Sequence, residues 1–318
     1  MKNFIDFNEN AVKKEILEIL LLDRTSHKNI IWATHDYEKY GQEYAFNNEI
    51  KAHLISNKNK DIIKPRVLKF NHEQLERIKD KAEVFTPTAI CNKQNNLVDN
   101  EWFGYSESFN IEEQENWKTT SKVVFPKDKD WKSYVLDKRL EITCGEAPYL
   151  TSRYDTTTGI YIETKDRIGL LDRKLRVISE NASSDEEWIE YGLKAMQSIY
   201  GFEYQGDSLL IARENIYLTF IDYFIDYFNK EPDCELLLKV AYIISWNIWQ
   251  MDGMKLVVPN SCHDEEFLGL DFFGDAKPVK CRGCENNDVF SHNGIKCKIM
   301  NWDTEKDEEF ISFINKRF

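Results

Sequence analysis

From residue 138 onward the chain alternates short β-rich runs with longer helical ones, and that alternation restricts it to a parallel sheet covered by helices. The run Leu140-Glu141-Ile142-Thr143 closes on Cys144-Gly145, where the chain must turn. Helix-like WIEYGLKAMQSIYG (188–201) then leads to a short strand ending at Phe202-Glu203-Tyr204. A long helix in LLIARENIYLTFIDYFIDYF (209–228) and a further helix or strand unit, ELLLKVAYIISWNIWQMDG (235–253), complete the pattern. Sheets of this kind bind ligands at the carboxyl ends of their strands, so those ends are the positions to inspect.

The first half is less regular. Residues 10–23 (NAVKKEILEILLLD) carry apolar side chains at helical spacing, with Asn8 or Asn10 as a cap. Residues 28–75 mix short apolar runs with polar breaks, which predicts a small mixed region. The segment EQLERIKDKAE reads as a helix running into Val84-Phe85-Thr86-Pro87, where Pro87 cannot continue it. The stretch 92–130 is rich in Asn, Glu and Lys with few periodic positions, and predicts a long surface excursion. The expected divisions are an N-terminal mixed region (1–75), a cofactor domain (76–256), and a loop with a terminal strand (257–318).

With 318 residues, 42% of them hydrophobic, the chain can bury one large core or two modest ones. A net charge of −13 argues against a wholly basic nucleic-acid surface and leaves local patches, Lys58–Arg66 and Arg167–Arg176, as the cationic candidates. No run of about 18 apolar residues occurs, and acidic residues are scattered through the N-terminus, unlike a signal peptide. A cytoplasmic location is expected. Of the seven cysteines, three fall between Cys281 and Cys297. In a cytosolic chain that pattern favours metal ligation or free thiols over disulfides.

The strand ends carry a family resemblance. The segment Leu140-Glu141-Ile142-Thr143-Cys144-Gly145-Glu146-Ala147-Pro148-Tyr149-Leu150 resembles the S-adenosylmethionine motif of adenine-N6 DNA methyltransferases, an acid followed by Cys-Gly-x-Gly and Phe-Leu. A glycine turn there lets backbone approach the cofactor's methionine end while a carboxylate meets its amino group. The second glycine of the pattern is Ala147 here, and Pro148 stiffens the turn, which implies weaker or altered cofactor binding. Upstream, Val84-Phe85-Thr86-Pro87 resembles the Phe-Thr-Pro element that closes over the cofactor in the same family. Downstream, Tyr200-Gly201-Phe202-Glu203 resembles the second strand, so that Glu203 would accept hydrogen bonds from the ribose hydroxyls. Trp249-Gln250-Met251-Asp252-Gly253 resembles the third strand end, with Asp252 as acceptor for the adenine amino group. The resemblance thus implies a cofactor site of Phe85, Thr86, Pro87, Glu141, Cys144, Gly145, Glu203 and Asp252.

It also implies a place for the chemistry. Asn315-Lys316-Arg317-Phe318 stands, by order and spacing, where the family carries Asn-Pro-Pro-Phe, with Glu309–Ile314 as the strand that delivers it. Asn315 and Phe318 keep the amide that orients the target amino group and the ring that stacks on the flipped base. Lys316 and Arg317 replace the prolines whose rigid backbone aims the carbonyl. The expected fold is α/β, a Rossmann-like S-adenosylmethionine-dependent methyltransferase core with an incomplete sheet. The expected function is that of a restriction–modification or phage-defence methyltransferase-like protein, with weak or absent transfer on its own and with DNA or a companion subunit as partner. Two alternatives stay open: a catalytically inactive binding or regulatory module, and an acidic protein that imitates DNA charge.

A second pattern points to a metal. Cys281-x2-Cys284 followed by His292 and Cys297, with Cys262 and His263 upstream, offers four soft ligands for a structural Zn²⁺. The expected ligands are Cys281, Cys284 and Cys297, with His292 or Cys262 as the fourth. Two weaker signals remain. Asp155 with Glu163-x-Lys165 has the outline of a metal-dependent nuclease site, although Thr156–Gly159 reads more readily as a turn. The aromatics Tyr217, Tyr223, Phe224, Trp246 and Trp249 lie at helical spacings that favour the core over a base-stacking platform.

Overall fold

The structure, a computed structural model, describes residues 11–69, 86–264 and 280–315. Helix α1 (Ala11–Leu21) is followed by a short hairpin, β1 (Leu22–Asp23) and β2 (Lys28–Asn29), then by α2 (Ala52–Ile55) and α3 (Thr88–Phe103). A second hairpin, β3 (Asn110–Glu113) and β4 (Asn116–Thr119), leads to α4 (Trp131–Leu136). The alternating part then runs β5 (Arg139–Ile142), α5 (Leu170–Asn181), α6 (Asp185–Gln197), β6 (Ile199–Glu203), α7 (Gly206–Phe228), α8 (Cys234–Asn247) and β7 (Ile248–Gln250). Helix α9 (Arg282–Asn286), the hairpin β8 (Lys298–Asn301) and β9 (Lys306–Glu309), and α10 (Ile311–Asn315) complete the described elements.

The expected alternation is present. Strands β5, β6 and β7 pair in parallel in that order, with Leu140 opposite Tyr200 and Phe202 opposite Trp249. The architecture is mixed α/β with small sheets, and this three-stranded parallel sheet lies at its centre. Side chains alternate across a strand, so each face packs a different set. Ile199 and Ile248 join the large core built from α1 and α5 to α8, with Leu20, Leu175, Leu209, Ile216 and Ile244. Tyr200, Phe202 and Trp249 face the other way and join Leu256, Cys297, Ile299 and Ile311 from the C-terminal layer. That layer covers β6 and β7 but not β5, where Leu140 and Ile142 remain 45% and 66% exposed.

Helix α1 buries Ile16, Leu17, Leu20 and Leu21 on one face, as its spacing predicts. These side chains, with Trp32, Ile50 and Leu54, share the core of the 103–248 region, so packing runs across position 75. The helix expected over EQLERIKDKAE lies outside the described residues.

Two expectations are overturned. The stretch 92–130 is not a surface excursion in its first part, because α3 buries Asn92, Asn95, Asn96 and Asp99. These sit at helical spacing, so the period is present but written in amides. Arg173 on α5, 1% exposed, explains why: it donates to Asp99 Oδ2 (2.6 Å), Asn96 Oδ1 (2.7 Å) and Asn92 Oδ1 (2.8 Å). A buried guanidinium needs acceptors, and a stripe of amides with one carboxylate supplies them. The second correction concerns Glu309–Ile314, which is not a further parallel strand. Strand β9 ends at Glu309 and pairs antiparallel with β8, while Ile311–Asn315 is helical. Phe310, Phe313 and Ile314 recur at helical spacing and pack on the Trp249 face.

Candidate functional site

A cleft of about 1120 Å³ opens at the carboxyl ends of β5 and β6. One wall is α3 and the turn after β5, with Thr86, Gln94 and Tyr149; the floor is Glu141, Gly145 and Glu203. After β5 the chain bends through three left-handed positions, Thr143 (φ 48°), Gly145 (φ 54°) and Ala147 (φ 62°). For the two non-glycine residues that conformation costs about 1 kcal/mol or more each, so something must hold the bend. Glu203 does so from the tip of β6. Its Oε2 accepts from Gly145 N (2.9 Å), and its Oε1 accepts from Tyr204 N (2.9 Å) and Gln205 N (3.1 Å).

Glu141 lies deeper, accepting from Tyr149 N (3.3 Å) and Leu150 N (3.1 Å). Burial pushes its carboxyl up to about 8 in spite of those bonds, and the nearby Glu203 charge adds to the rise. The Cys144 thiol is likewise raised by burial. Glu141, Cys144, Gly145, Glu203 and Thr86, all named from sequence, therefore meet in one place. Pro87 stands at the start of α3, where its fixed φ suits a helix entry. Phe85 lies outside the described residues.

Asp252 does not join them. Its Oδ1 accepts from Met254 N (3.1 Å) and its Oδ2 is 3.4 Å from Lys255 Nζ, within the turn that follows β7. Tyr204 lines the cleft, and its hydroxyl is raised first by burial and then by the Asp252 charge, while Asp252 itself is not among the residues that line it. At the tip of β7 the residue level with Glu203 is Gln250. Asn315 closes the short helix α10, and Phe318 lies outside the described residues.

The cleft's outer wall, Ala33, Thr34, His35, Asp36 and Phe46, is not among the positions expected from sequence. Gln250 clasps this segment to the sheet by accepting from Ile31 N (2.8 Å) and donating to Ile31 O (2.8 Å). Gly206 N donates to Trp32 O (3.0 Å), and a Cβ at Gly206 would lie 2.1 Å from Ile31 O, so this first residue of α7 must be glycine. That glycine, just after the acid at the β6 tip, was the available clue to a close backbone approach.

The second site is sulfur-rich. The ligand atoms of Cys262, Cys281, Cys284 and His292 all lie within 4.8 Å of one another. His292 Nδ1 is 3.6 Å from Cys262 Sγ, 3.6 Å from Cys284 Sγ and 3.8 Å from Cys281 Sγ. Glycine makes this convergence feasible: a Cβ at Gly283 would lie 2.6 Å from His292 Nδ1, and one at Gly294 would lie 3.1 Å from Cys262 Sγ. Burial raises the Cys281 thiol, but N–H bonds led by that from Asn293 (3.4 Å) outweigh it and bring the group down to about 6. Three sulfurs and one imidazole nitrogen around a common centre could hold a metal ion, and this donor set is compatible with zinc.

Cys297 is not part of that set. Cys297 N donates to Leu256 O and its carbonyl accepts from Phe310 N, which turns the side chain into the core beside Trp249. Its thiol donates to Gln250 O at 3.5 Å, and Cys262 takes the place expected for it.

The nuclease outline also comes apart. Partial burial raises the Asp155 carboxyl, but bonds from the Thr157 hydroxyl (2.5 Å), Thr88 N (2.8 Å) and Thr158 N (2.8 Å) outweigh it and hold the group well below the usual range. Glu163 and Lys165 line a separate hollow with Asp222 and Asp226. Tyr217, Tyr223, Phe224, Trp246 and Trp249 are all buried, as their spacing predicts. No described helix is long and apolar enough to cross a membrane. Comparison with known protein families, characterised proteins and solved structures yields no significant match.

Proposed function

We propose that this chain is a methyltransferase-like protein of the restriction–modification or phage-defence type, whose cleft takes S-adenosylmethionine and which alone transfers methyl groups weakly or not at all. The observation that carries this reading is the meeting of Glu141, Gly145, Glu203 and Thr86 in one cleft at the carboxyl ends of adjacent parallel strands. The alternation of parallel strands with pairs of helices, β5-α5-α6-β6-α7-α8-β7, supports a Rossmann-like core, and ligands of such sheets sit where these residues sit. Gly145 admits the methionine end, Glu141 meets its amino group, and Glu203 takes the ribose. A carboxyl raised to about 8 by burial would ionise beside an ammonium group, which suits Glu141 to that partner. When bound, the cofactor supplies an electrophilic methyl on a sulfonium.

Weak transfer follows from the C-terminal layer. The expected acceptor-delivering strand is replaced by a hairpin and α10, and the outer edge of β5 pairs with no strand among the described residues. Arg139 N donates to Ser198 O, so Arg139 and Glu141 turn their peptide groups to β6 and those of Leu140 and Ile142 point outward. An open edge beside exposed Leu140 and Ile142 favours a companion subunit as the source of a further strand. The Cys262/Cys281/Cys284/His292 cluster takes structural zinc in this reading, because all four tetrahedral positions are protein ligands.

Calorimetry with S-adenosylmethionine, followed by labelled-methyl transfer to DNA with and without a companion subunit, tests the proposal. Heat of binding with little or no transfer by the chain alone, and more with the companion subunit present, is expected. Absence of heat at millimolar cofactor removes the proposal. The alternative, an inactive module docking through its metal loop, is favoured by the same helical C-terminus and is supported by binding without any transfer even when the companion subunit is present.

A further inference from the structure

Helix α3 is inverted: it buries Asn92, Asn95, Asn96 and Asp99 and leaves Ile90, Leu97 and Val98 outward at 41%, 68% and 39% exposure. Val98 borders the same cleft as Leu140 and Ile142, so this aliphatic stripe and the open edge of β5 form one surface. We infer that, without a companion subunit, two copies of this chain pair through that surface, their β5 strands antiparallel about a two-fold axis at Glu141. The inference rests on the unpaired β5 edge described above and is independent of the cofactor. A companion subunit would compete with the second copy for the same edge.

Three observations select a second copy as the occupant. First, the edge calls for a strand. Leu140 and Ile142 turn their N–H and C=O groups outward, and among the described residues these meet only the Thr143 hydroxyl, which donates to Ile142 O (2.7 Å) and leaves that carbonyl a second lone pair. Single edges are commonly blunted by charge or proline at such positions, whereas these two residues are aliphatic. Second, the edge complements itself. Leu140 and Ile142 flank Glu141 symmetrically, so an antiparallel copy can set its own Ile142 opposite Leu140 and its own Leu140 opposite Ile142. Each of these facing pairs exchanges both of its outward hydrogen bonds. The same register lays aliphatic side chains against each other on the face of β5 that the C-terminal layer leaves open. Helix α3, with Leu97 and Val98, then flanks the seam and its exposed stripe gains a partner. Third, the centre of the register carries no opposed charges. Glu141 stands opposite its own copy, but its oxygens accept from Tyr149 N and Leu150 N, and burial pushes the carboxyl up to about 8, so it keeps its proton at neutral pH.

Sedimentation equilibrium of the full chain without ligand tests the inference, at about 0.15 M salt so that repulsion between two chains of charge −13 is screened beyond about 8 Å. The mass should rise with concentration from 37.6 kDa toward twice that value, with a dissociation constant in the micromolar range expected of a small interface. Ile142→Arg, at a residue 66% exposed, should weaken association about a hundredfold or more by burying an unpaired cation on each side of the seam. Ile142→Pro removes an outward N–H without touching the ladder to β6, and should weaken it about tenfold. Met254→Arg, at an exposed apolar residue outside the cleft, should leave association unchanged. In the wild type, which needs no variant to fold, hydrogen exchange at the Leu140 and Ile142 amides should slow as the pair forms. A chain that stays monomeric up to about 200 µM would overturn the inference. So would a pair that survives Ile142→Arg, one lost equally in Met254→Arg, or one that leaves those two amides unprotected. Because no ligand enters the assay, failure here leaves the cofactor reading to stand or fall by calorimetry.

Discussion

The cleft draws on distant parts of the chain and the metal cluster on the single stretch Cys262–His292, and they treat their polar groups in opposite ways. In the cluster, Cys262, Cys281, Cys284 and His292 aim four ligand atoms at a common centre. In the cleft, Glu203 and Glu141 turn their oxygens on backbone N–H groups of the strand-end turns. The first arrangement is organised by what it can bind. The second is organised by the backbone bend it must hold, and ligand binding has to share those carboxylates. A donor set is therefore the firmer guide to chemistry at the cluster, whereas at the cleft shape and position matter more than residue identity.

The largest expected effect separates the two regions by metal content. Cys281→Ser should take zinc from one equivalent to near zero and lower Tm by about 10 °C, since structural zinc contributes many kcal/mol to folding. Cys297→Ala should keep its zinc, because that thiol packs against Gln250 and Trp249. Metal analysis by mass spectrometry that finds zinc lost from Cys297→Ala but kept in Cys262→Ser would reverse the ligand assignment.

A pH effect comes next and belongs to the cleft. The Glu141 carboxyl stands at about 8 when folded against an ordinary 4.5. The folded state therefore holds a proton that the unfolded state has released, and stability falls as pH rises from about 4.5 to about 8. The stabilising contribution is complete below the lower value and lost above the higher one. Glu141→Gln should flatten that fall by a few kcal/mol in denaturant titrations run at pH 5 and pH 8.5. A wild type whose stability is level across this window would show that Glu141 is not desolvated as described.

Glu203→Gln should cost about 1–3 kcal/mol, because an amide nitrogen replaces one oxygen that the Gly145 or the Tyr204 and Gln205 N–H groups use. Hydrogen exchange should rise at the Gly145 amide. The smallest effect is expected at Asp252→Asn, which should leave nucleoside affinity within about twofold and stability within about 0.5 kcal/mol. A tenfold loss of affinity there would return Asp252 to the cleft.

Much of the central sheet was legible in the sequence because its strands and helices follow simple apolar periods, as at Ile199–Glu203 and Gly206–Phe228. Helix α3 was misread because its buried stripe is Asn92, Asn95, Asn96 and Asp99, visible as interior only once Arg173 is placed opposite it. The last segment was misread because Phe310, Ile311, Phe313 and Ile314 form a short apolar run, for which strand and helix periods are hard to separate. At the cleft, the glycine turn and the β6 acid were readable. The Ala33–Phe46 wall was not, since its place depends on Gln250 reaching across the sheet end to Ile31. At the metal cluster, ligand types and the Cys-x2-Cys knuckle were readable, but spacing alone chose Cys297 with either His292 or Cys262, whereas the fold brings both of those together and turns Cys297 into the core.

The most direct test of the central claim is a crystal structure of the zinc-loaded chain soaked with S-adenosylhomocysteine. Difference density for the nucleoside in the cleft beside Gly145, Glu203 and Tyr204 is the expected result. An unaltered cleft at saturating ligand, or density bound elsewhere on the surface, would contradict the account.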